Sequence, residues 1–435
     1  MTLLPVQAKA DVCALQDIAE KAALVLRNND RGGYTVPSDQ LYPYQWLWDS
    51  AFIALGWQAI DEARAWQELK SLLTGQWDDG MMPHIVFHQT HASYMPGPDI
   101  WRVGRTPETS GITQPPVLGT VLRALYTNAR DKEQADQALR VLFPAVLRFS
   151  QWFHNRRDPA QTGLVTTLHP WESGMDNSPA WDGALQRVPT AGLRPYERKD
   201  TALVDAAQRP RQDDYDRYMS LVFSCVDAGY DQEKLLAGSA FRVADLTTNA
   251  VLLRADRDLL WLAESLQDQA AVAWLKPVIA RADSALGRLW DDQAGFFYAR
   301  DLIANQPIAV PTVAGFLPLF SGTATSSQAE RLAQRLVAWQ QQAPYMVPSL
   351  DPMHPAFDSR RYWRGAVWVN VNWMVADGFA AYGYMRLAEE IRTQTQALLR
   401  KGQFAEYFDP LSGAPLGSQN FSWTAALALH WPLFS

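Results

Sequence analysis

Cysteine is nearly missing from this chain. The two present, Cys13 and Cys225, have no metal-ligand spacing and cannot build a disulfide framework, which predicts a reduced compartment. Basic runs are missing too. The net charge is −7 with acids and bases interspersed, so no Lys/Arg stripe marks a nucleic-acid partner. No apolar run nears the ~20 residues that span a bilayer. The start, MTLLPVQAKADVCALQD, has a short apolar run and no early basic region, which makes a poor signal peptide. The expectation is a cytoplasmic protein without a membrane or nucleic-acid partner; a homo-oligomer stays open. His84, His88 and His91 are spaced as zinc ligands on a helix, but the glutamate of H-E-x-x-H is missing and Pro83 precedes His84. No metal and no cofactor is expected. Alternating strands are scarce, with GFFYARD (295–301) one short candidate, and no Gly/Ser or Pro-rich linker divides the chain.

Tryptophan, by contrast, is plentiful. There are 18, many beside Asp, Gln or Tyr. A flat apolar face with one N–H donor suits the C–H faces of sugars. A large helical core uses Trp as well, so composition alone leaves both readings open. Helical periodicity dominates. Val12, Leu15, Ile18, Ala22 and Leu26 mark one apolar face, Val117 to Leu125 another, and Leu246 to Leu266 a third. Ser327 and Glu330 predict a capping box. Residues 368–399 read as helix with a break near Gly378 or Gly383. Three turns echo one another: DPAQTGLV from Asp158, DDQAGFFY from Asp291 and DPLSGAPLG from Asp409. Asp bonds nearby backbone and Gly takes positive φ, so equivalent turns between helices suggest repeated hairpins. The fold expected is all-α, one domain spanning 1–435, with the hairpins closing into an (α/α) barrel.

Several segments interleave aromatic and polar groups too closely for plain core. YPYQWLWDSAF carries Tyr42, Trp46 and Asp49; MMPHIVFHQTHASYMPG brings Tyr94 on a polar loop. In SGITQPPVLG, Gln114 precedes two prolines that open a helix, holding an amide able to donate and accept. HPWESGMDNSPAW places Glu172 and Asp176 between tryptophans in a turn-rich stretch. QRPRQDDYDRYMSLV brings Arg209, Arg211 and Tyr215, and arginine is the usual clamp for a carboxylate. RYWRGAVWVNVNW clusters Tyr362, Trp363 and Trp368. In FAEYFDPLSGAPLG, Glu406 stands among aromatics, where partial desolvation raises a carboxyl pKa. Caps and surface ion pairs explain each segment taken singly. Together they describe an aromatic cavity with two carboxylates from distant parts of the chain, the pairing that glycoside hydrolysis needs.

WESGMDNSPAWD, GITQPP, YWRGAVWVN and EYFDPLSGAPLGSQNFSWTA, spread from about Tyr42 to Trp423, resemble glycoside hydrolase family 63, and within it the bacterial mannosylglycerate and glucosylglycerate hydrolases. The resemblance implies an (α/α)6 barrel, an inverting mechanism and no obligatory metal. By motif it implies Asp176 as general acid and Glu406 as general base. Tyr42, Trp46 and Asp49 would wall the glycone, with Gln114 and Trp363 as further sugar contacts. Tyr94 falls where the aglycone is held, and Arg209 with Tyr215 would grip a glycerate carboxylate, Arg211 being the near alternative. Glu172 is then an acceptor for a sugar hydroxyl or a supporting group behind the site. Pro415 departs from the glycine often found in that turn. The expected substrate is a small acidic α-glycoside, glucosylglycerate or mannosylglycerate. A neutral α-glucosidase or trehalase-like hydrolase, and an inert sugar-binding protein, are the alternatives.

Overall fold

The computed structural model describes residues 6–91, 94–402 and 404–431, with side chains from residue 17 onward except at 402. Cys13, Val12 and Leu15 therefore lie outside the described side chains.

Six helices form an inner ring. Leu47–Ile60 packs on Leu118–Thr127, and that helix on Leu246–Ser265. The ring continues through Leu317–Ser321 and Val369–Ala381 to Ser422–His430, which returns to Leu47–Ile60. An outer layer alternates with it along the chain: Val6–Asn29, Glu62–Leu73, Lys132–Trp152, Gln269–Gly287, Ser326–Gln340 and Met385–Gly402. This is the (α/α)6 barrel expected. The two layers differ in sequence for a physical reason. LWDSAFIALGWQAI is apolar on every side and is buried without a gap from Leu47 to Gln58, as a helix surrounded by others must be. EARAWQELKSLL buries one stripe, including Ala65, Trp66, Leu69 and Leu72.

Small residues let the inner helices touch backbone to backbone. A Cβ built on Gly56 would stand 2.4 Å from the Ala426 Cα, and one on Gly378 would stand 2.8 Å from the Phe320 nitrogen. Neither helix could approach so closely with a side chain between them.

The three Asp-to-Gly turns are real and alike in kind, the Asp carboxylate accepting from an amide two to five residues on. Each follows an outer helix. Asp158 accepts from the Gly163 amide at 2.7 Å, Asp291 from Ala294 at 2.8 Å and Asp409 from Leu411 at 3.0 Å. A fourth copy, unnoticed in the sequence, follows the first outer helix, where Asp30 accepts from the Gly32 amide at 3.1 Å.

Local readings need three corrections. The capping box of Ser326–Gln340 is Thr325 with Gln328, two residues before the pair expected. GFFYARD forms two separate two-residue strands, Phe296–Phe297 and Arg300–Asp301. The stretch after His84 is the strand Ile85–Phe87, the middle of a small antiparallel sheet with Gln45–Trp46 and Glu108–Thr109. The predicted long helix breaks at Gly383, between Val369–Ala381 and Met385–Gly402. A second, smaller core containing Tyr44, Ile85, Trp101, Trp181 and Tyr218 lies under the loops at one end of the ring. Those loops build the site.

Candidate active site

One cavity of about 840 Å³, open solvent at its mouth included, opens at the end of the ring where inner helices begin. Trp46 and Trp368 are the N-cap residues of Leu47–Ile60 and Val369–Ala381, Asp49 lies in the first turn of the former, and Phe421 caps Ser422–His430. The partial positive charge at these helix starts favours negative groups.

Twelve of the thirteen residues singled out in the sequence line this cavity: Tyr42, Trp46, Asp49, Tyr94, Gln114, Asp176, Arg209, Tyr215, Tyr362, Trp363, Trp368 and Glu406. The exception is Glu172. It is buried outside the cavity, and Arg157 grips both its oxygens at 2.6 and 2.8 Å. The Leu168 amide donates to it at 2.8 Å as well. Of the two roles expected of Glu172, the sugar-hydroxyl contact is corrected and the supporting role behind the site is the one seen: both oxygens are taken, and the residue anchors the loop that carries Asp176. Arg211, the alternative clamp, is exposed and caps the helix Gln212–Asp227.

The loop 169–181 is fixed at nearly every step. Pro170 and Pro179 open two short 3-10 turns. His169 accepts from the Trp171 amide through Nδ1 at 3.0 Å, and its Nε2 bonds the Tyr218 carbonyl at 3.0 Å. Burial holds this imidazole neutral, its pKa down at about 4, so Nε2 carries the proton. The Trp181 indole donates to the Met175 carbonyl at 2.7 Å, and Tyr218 donates to the Asp176 carbonyl at 2.9 Å. Gly174 has φ +70°, and a Cβ there would strike the Trp48 ring at 2.5 Å. The chain must turn tightly at this point to aim Asp176 inward.

Three carboxyl groups meet in the cavity. Burial raises the Asp176 pKa to about 7, with Arg209 opposing and Glu406 adding to the rise. Its carboxyl reaches the cavity space, yet protein encloses it, and among the described residues no side chain donates to it. Glu406 differs. Burial raises it too, but against a set of donors: Tyr42 Oη at 2.8 Å and the Ser418 amide at 3.0 Å, with Arg209 Nη1 3.8 Å away. Asp49 is pushed well above its ordinary value by burial, and then by Glu406 and Asp176. Such a set cannot all ionise at once in a dry site, so protons distribute over it. The group with donors keeps its charge most easily; the one without keeps its proton.

The walls are aromatic. The Trp363 and Trp368 rings stack 4.0 Å apart with 1° between their planes, and Tyr407 stacks on Trp368 at 4.7 Å. Trp46 meets Tyr42 and Tyr94 edge-on. Gln114 accepts from the Trp48 amide at 3.3 Å, which fixes one end of its amide. At the far wall Arg209 donates to Asp200 and to Tyr42 Oη, each at 2.9 Å, and Arg198 stacks over Tyr215 at 4.4 Å. His84 and His88 serve other partners, Ser110 and Gln45, at 2.6 and 2.7 Å. Among the described residues no three His, Cys, Asp or Glu side chains converge as a metal site, and no helix is long and apolar enough to cross a membrane.

Sequence reasoning gave no place in the sugar site to Trp48, His84, Trp171, Asp200 and Phe421, all of which line the cavity. Four of these lie within motifs already noted. Asp200 had no local signal; its role rests on a pairing nine residues along. Pro415 stands in register with Phe408 in a two-residue strand pair, its side chain exposed.

Comparison with known proteins agrees with this geometry. Residues 42–424 match the mannosylglycerate hydrolase MGH1-like glycoside hydrolase domain. A mannosylglycerate hydrolase of Thermus thermophilus is 52% identical over 414 residues, covering 94% of this chain and 99% of that protein. A glucosylglycerate hydrolase of Mycolicibacterium hassiacum is 34% identical, covering 95% and 97%. The crystal structure of a family 63 mannosylglycerate hydrolase from Thermus thermophilus, in complex with Tris and D-glycerate, superposes with a TM-score of 0.93 at 52% identity, covering 95% of this chain and 99% of that one. The aromatic cavity, its carboxylates and the helical ring around them thus have one common explanation: the chain belongs to the MGH1-like hydrolases of glycoside hydrolase family 63.

Proposed function

We propose that this enzyme hydrolyses an α-glycoside of glycerate, 2-O-mannosyl- or 2-O-glucosylglycerate, with inversion, and that the whole chain, 1–435, acts as one cytoplasmic catalytic unit. The observation that carries the proposal is the unequal setting of its two acids. Asp176 has no side-chain donor among the described residues and a pKa raised to about 7 by burial. Glu406 receives Tyr42 and the Ser418 amide and lies beside Arg209. Two carboxyl groups whose environments push them apart divide into an acid and a base. Asp176, protonated, donates to the glycosidic oxygen. Glu406, ionised, takes a proton from water, which attacks the anomeric carbon from the opposite face in one step.

The glycone would lie on the wall of Tyr42, Trp46, Trp363 and Trp368, with Asp49 and Gln114 bonding its hydroxyls. The aglycone would lie toward Tyr94, Tyr215 and Arg209. A cationic cluster in a desolvated wall selects an acidic aglycone, because Asp200 offsets only one of the two arginines it holds and a neutral aglycone leaves the remaining positive charge unbalanced. The names of the similar hydrolases support that choice of substrate.

The test is purified enzyme with mannosylglycerate, glucosylglycerate, trehalose and kojibiose, with sugar release measured and the first-formed anomer read by NMR. The expected result is turnover of one or both glycerate glycosides with the β anomer appearing first. Turnover of the neutral disaccharides alone would overturn the substrate, and a first-formed α anomer would overturn inversion.

A further inference from the structure

Asp200 was silent in the sequence and belongs to neither the acid–base pair nor the sugar wall, yet it is buried and lines the cavity. Its carboxylate holds two arginines. Arg198 reaches Oδ1 through Nε at 2.6 Å and Oδ2 through Nη2 at 2.9 Å, and Arg209 reaches Oδ2 through Nε at 2.9 Å. Arg209 then extends Nη1 toward Tyr42 Oη at 2.9 Å, and Tyr42 donates to Glu406 at 2.8 Å. The same Nη1 stands 3.8 Å from Glu406 Oε1, too far for a hydrogen bond. One guanidinium is therefore shared by two carboxylates. Asp200 holds it by a direct bond, and Glu406 feels it across a gap.

We propose that Asp200 is a positioning residue, which by holding Arg209 Nε keeps the guanidinium from closing on Glu406. This rests on the reading of Glu406 as base. A direct Arg209–Glu406 pair would have two effects. The carboxylate would lose basicity, since an opposite charge in contact favours ionisation. The guanidinium would also be consumed before an acidic aglycone arrived. Arg198 completes the device: its own charge offsets Asp200, so the three groups together carry one net positive charge at the aglycone wall.

Other charges face this group. Asp49 and Asp176 act on Glu406 from two separate elements. Tyr42, Tyr362 and Tyr407 surround it, and Tyr215 and Tyr407 also face Asp200. Arg361 donates to the Arg209 carbonyl at 3.1 Å and so fixes the backbone rather than the guanidinium. Tyr407 also bonds the Arg209 side chain, and the guanidinium lies over the Tyr362 ring at 4.3 Å; the carboxylate that accepts from Arg209 Nε is that of Asp200.

The test compares pH profiles of kcat/KM on the preferred glycerate glycoside. In Asp200→Asn the acid limb moves down by about one unit, as a new opposite charge near a carboxylate requires, and KM rises. Asp200→Glu restores the limb. Arg198→Met frees Asp200 to draw Arg209 away from Glu406, so its limb moves up. Loss of any nearby charge shifts a carboxyl, so the signature of a shared guanidinium is that both opposite shifts largely vanish in an Arg209→Met background, and shifts that persist there would overturn the proposal. Losses that are equal at every pH in both variants, with melting temperatures lowered alike, would mean that Asp200 only supports the loop, and overturn the proposal. Failure of the base assignment shows separately: Glu406→Gln would then keep both its turnover and its acid limb.

Discussion

Gly417 lies flat against the Glu406 carboxylate. A Cβ built on it would stand 2.5 Å from Glu406 Oε2 and 2.4 Å from the Tyr407 ring, and its φ of +68° already favours glycine. The Gly417 amide donates to Gln208 at 2.9 Å, so the loop cannot swing aside without losing that bond. The turn is shaped to leave room for one carboxylate and nothing more.

Gly417→Ala should therefore push Glu406 from its place. A displacement of about 1 Å at a catalytic group costs on the order of 10²-fold in rate, while an alanine at positive φ costs about 1–2 kcal/mol of stability. The expected result is a large fall in kcat with a small fall in melting temperature. A loss of activity that merely tracked unfolding would speak against the contact.

Asp176 gives a prediction with two readouts. As the acid it must hold its proton, so kcat/KM should fall as pH rises through about 7. Asp176→Asn should lower kcat by about 10²–10⁴-fold. Stability moves the other way. A carboxyl raised in the folded state binds its proton more tightly there than in the unfolded chain. Its cost is small at pH 4, where the unfolded carboxyl has begun to ionise, grows up to about 7, and is complete above that. Allowing for access of cavity water, the full cost is about 2 kcal/mol. Denaturant melts should find Asp176→Asn close in stability to the native enzyme at pH 4 and clearly more stable at pH 8. Equal stability at both would show that Asp176 is not desolvated.

Glu172 and Arg157 are both buried and paired through two bonds. Removing one partner strands the other charge, which costs about 3–5 kcal/mol. Glu172→Ala should accordingly melt early, and Arg157→Met/Glu172→Met should recover much of the loss. Because Glu172 anchors the loop of Asp176, the double variant should still show reduced kcat. Full activity in that variant would remove the loop-anchoring role. The measurements are a denaturant melt and initial rates on the same preparations.

What could be read from the sequence divides along a physical line. Apolar residues on all sides of LWDSAFIALGWQAI, against a stripe in EARAWQELKSLL, distinguish inner from outer helices by composition. Asp-to-Gly turns repeat because four of the outer helices are followed by a similar bend, so the ring showed through as an echo. Asp176 and Glu406 stood out because acids between aromatics are rare in plain core. Glu172 misled for the same reason: it sits in an identical local setting, and only Arg157, fifteen residues earlier, decides that it faces away. Asp200 was invisible because its signal is a pairing with Arg198 and Arg209 on an irregular loop. His84 and His88 have the spacing of a helical pair, against which Pro83 and the missing glutamate already spoke, and the strand between them gives each its own partner. Contacts made across space leave no period to find.

The inner ring supplies the last test. Gly56 touches the backbone of the facing helix: an added Cβ would meet the Ala426 Cα at 2.4 Å and its Cβ at 2.5 Å. Helix propensity alone would make Gly56→Ala stabilising by about 0.5–1 kcal/mol. Overpacking a close backbone contact opposes this by about 1–3 kcal/mol or more, so the steric term wins and the variant should be destabilised. The two helices in contact here are also those that carry Asp49 and Trp423 into the cavity, so prying them apart should lower kcat as well. Shortening the partner does not help. In Gly56→Ala/Ala426→Gly the clash with the Ala426 Cβ is gone, but that with the Cα remains. A double variant as unstable as the single one, by thermal melting, is the expected outcome. Full recovery would place the contact in side chains and not in backbone.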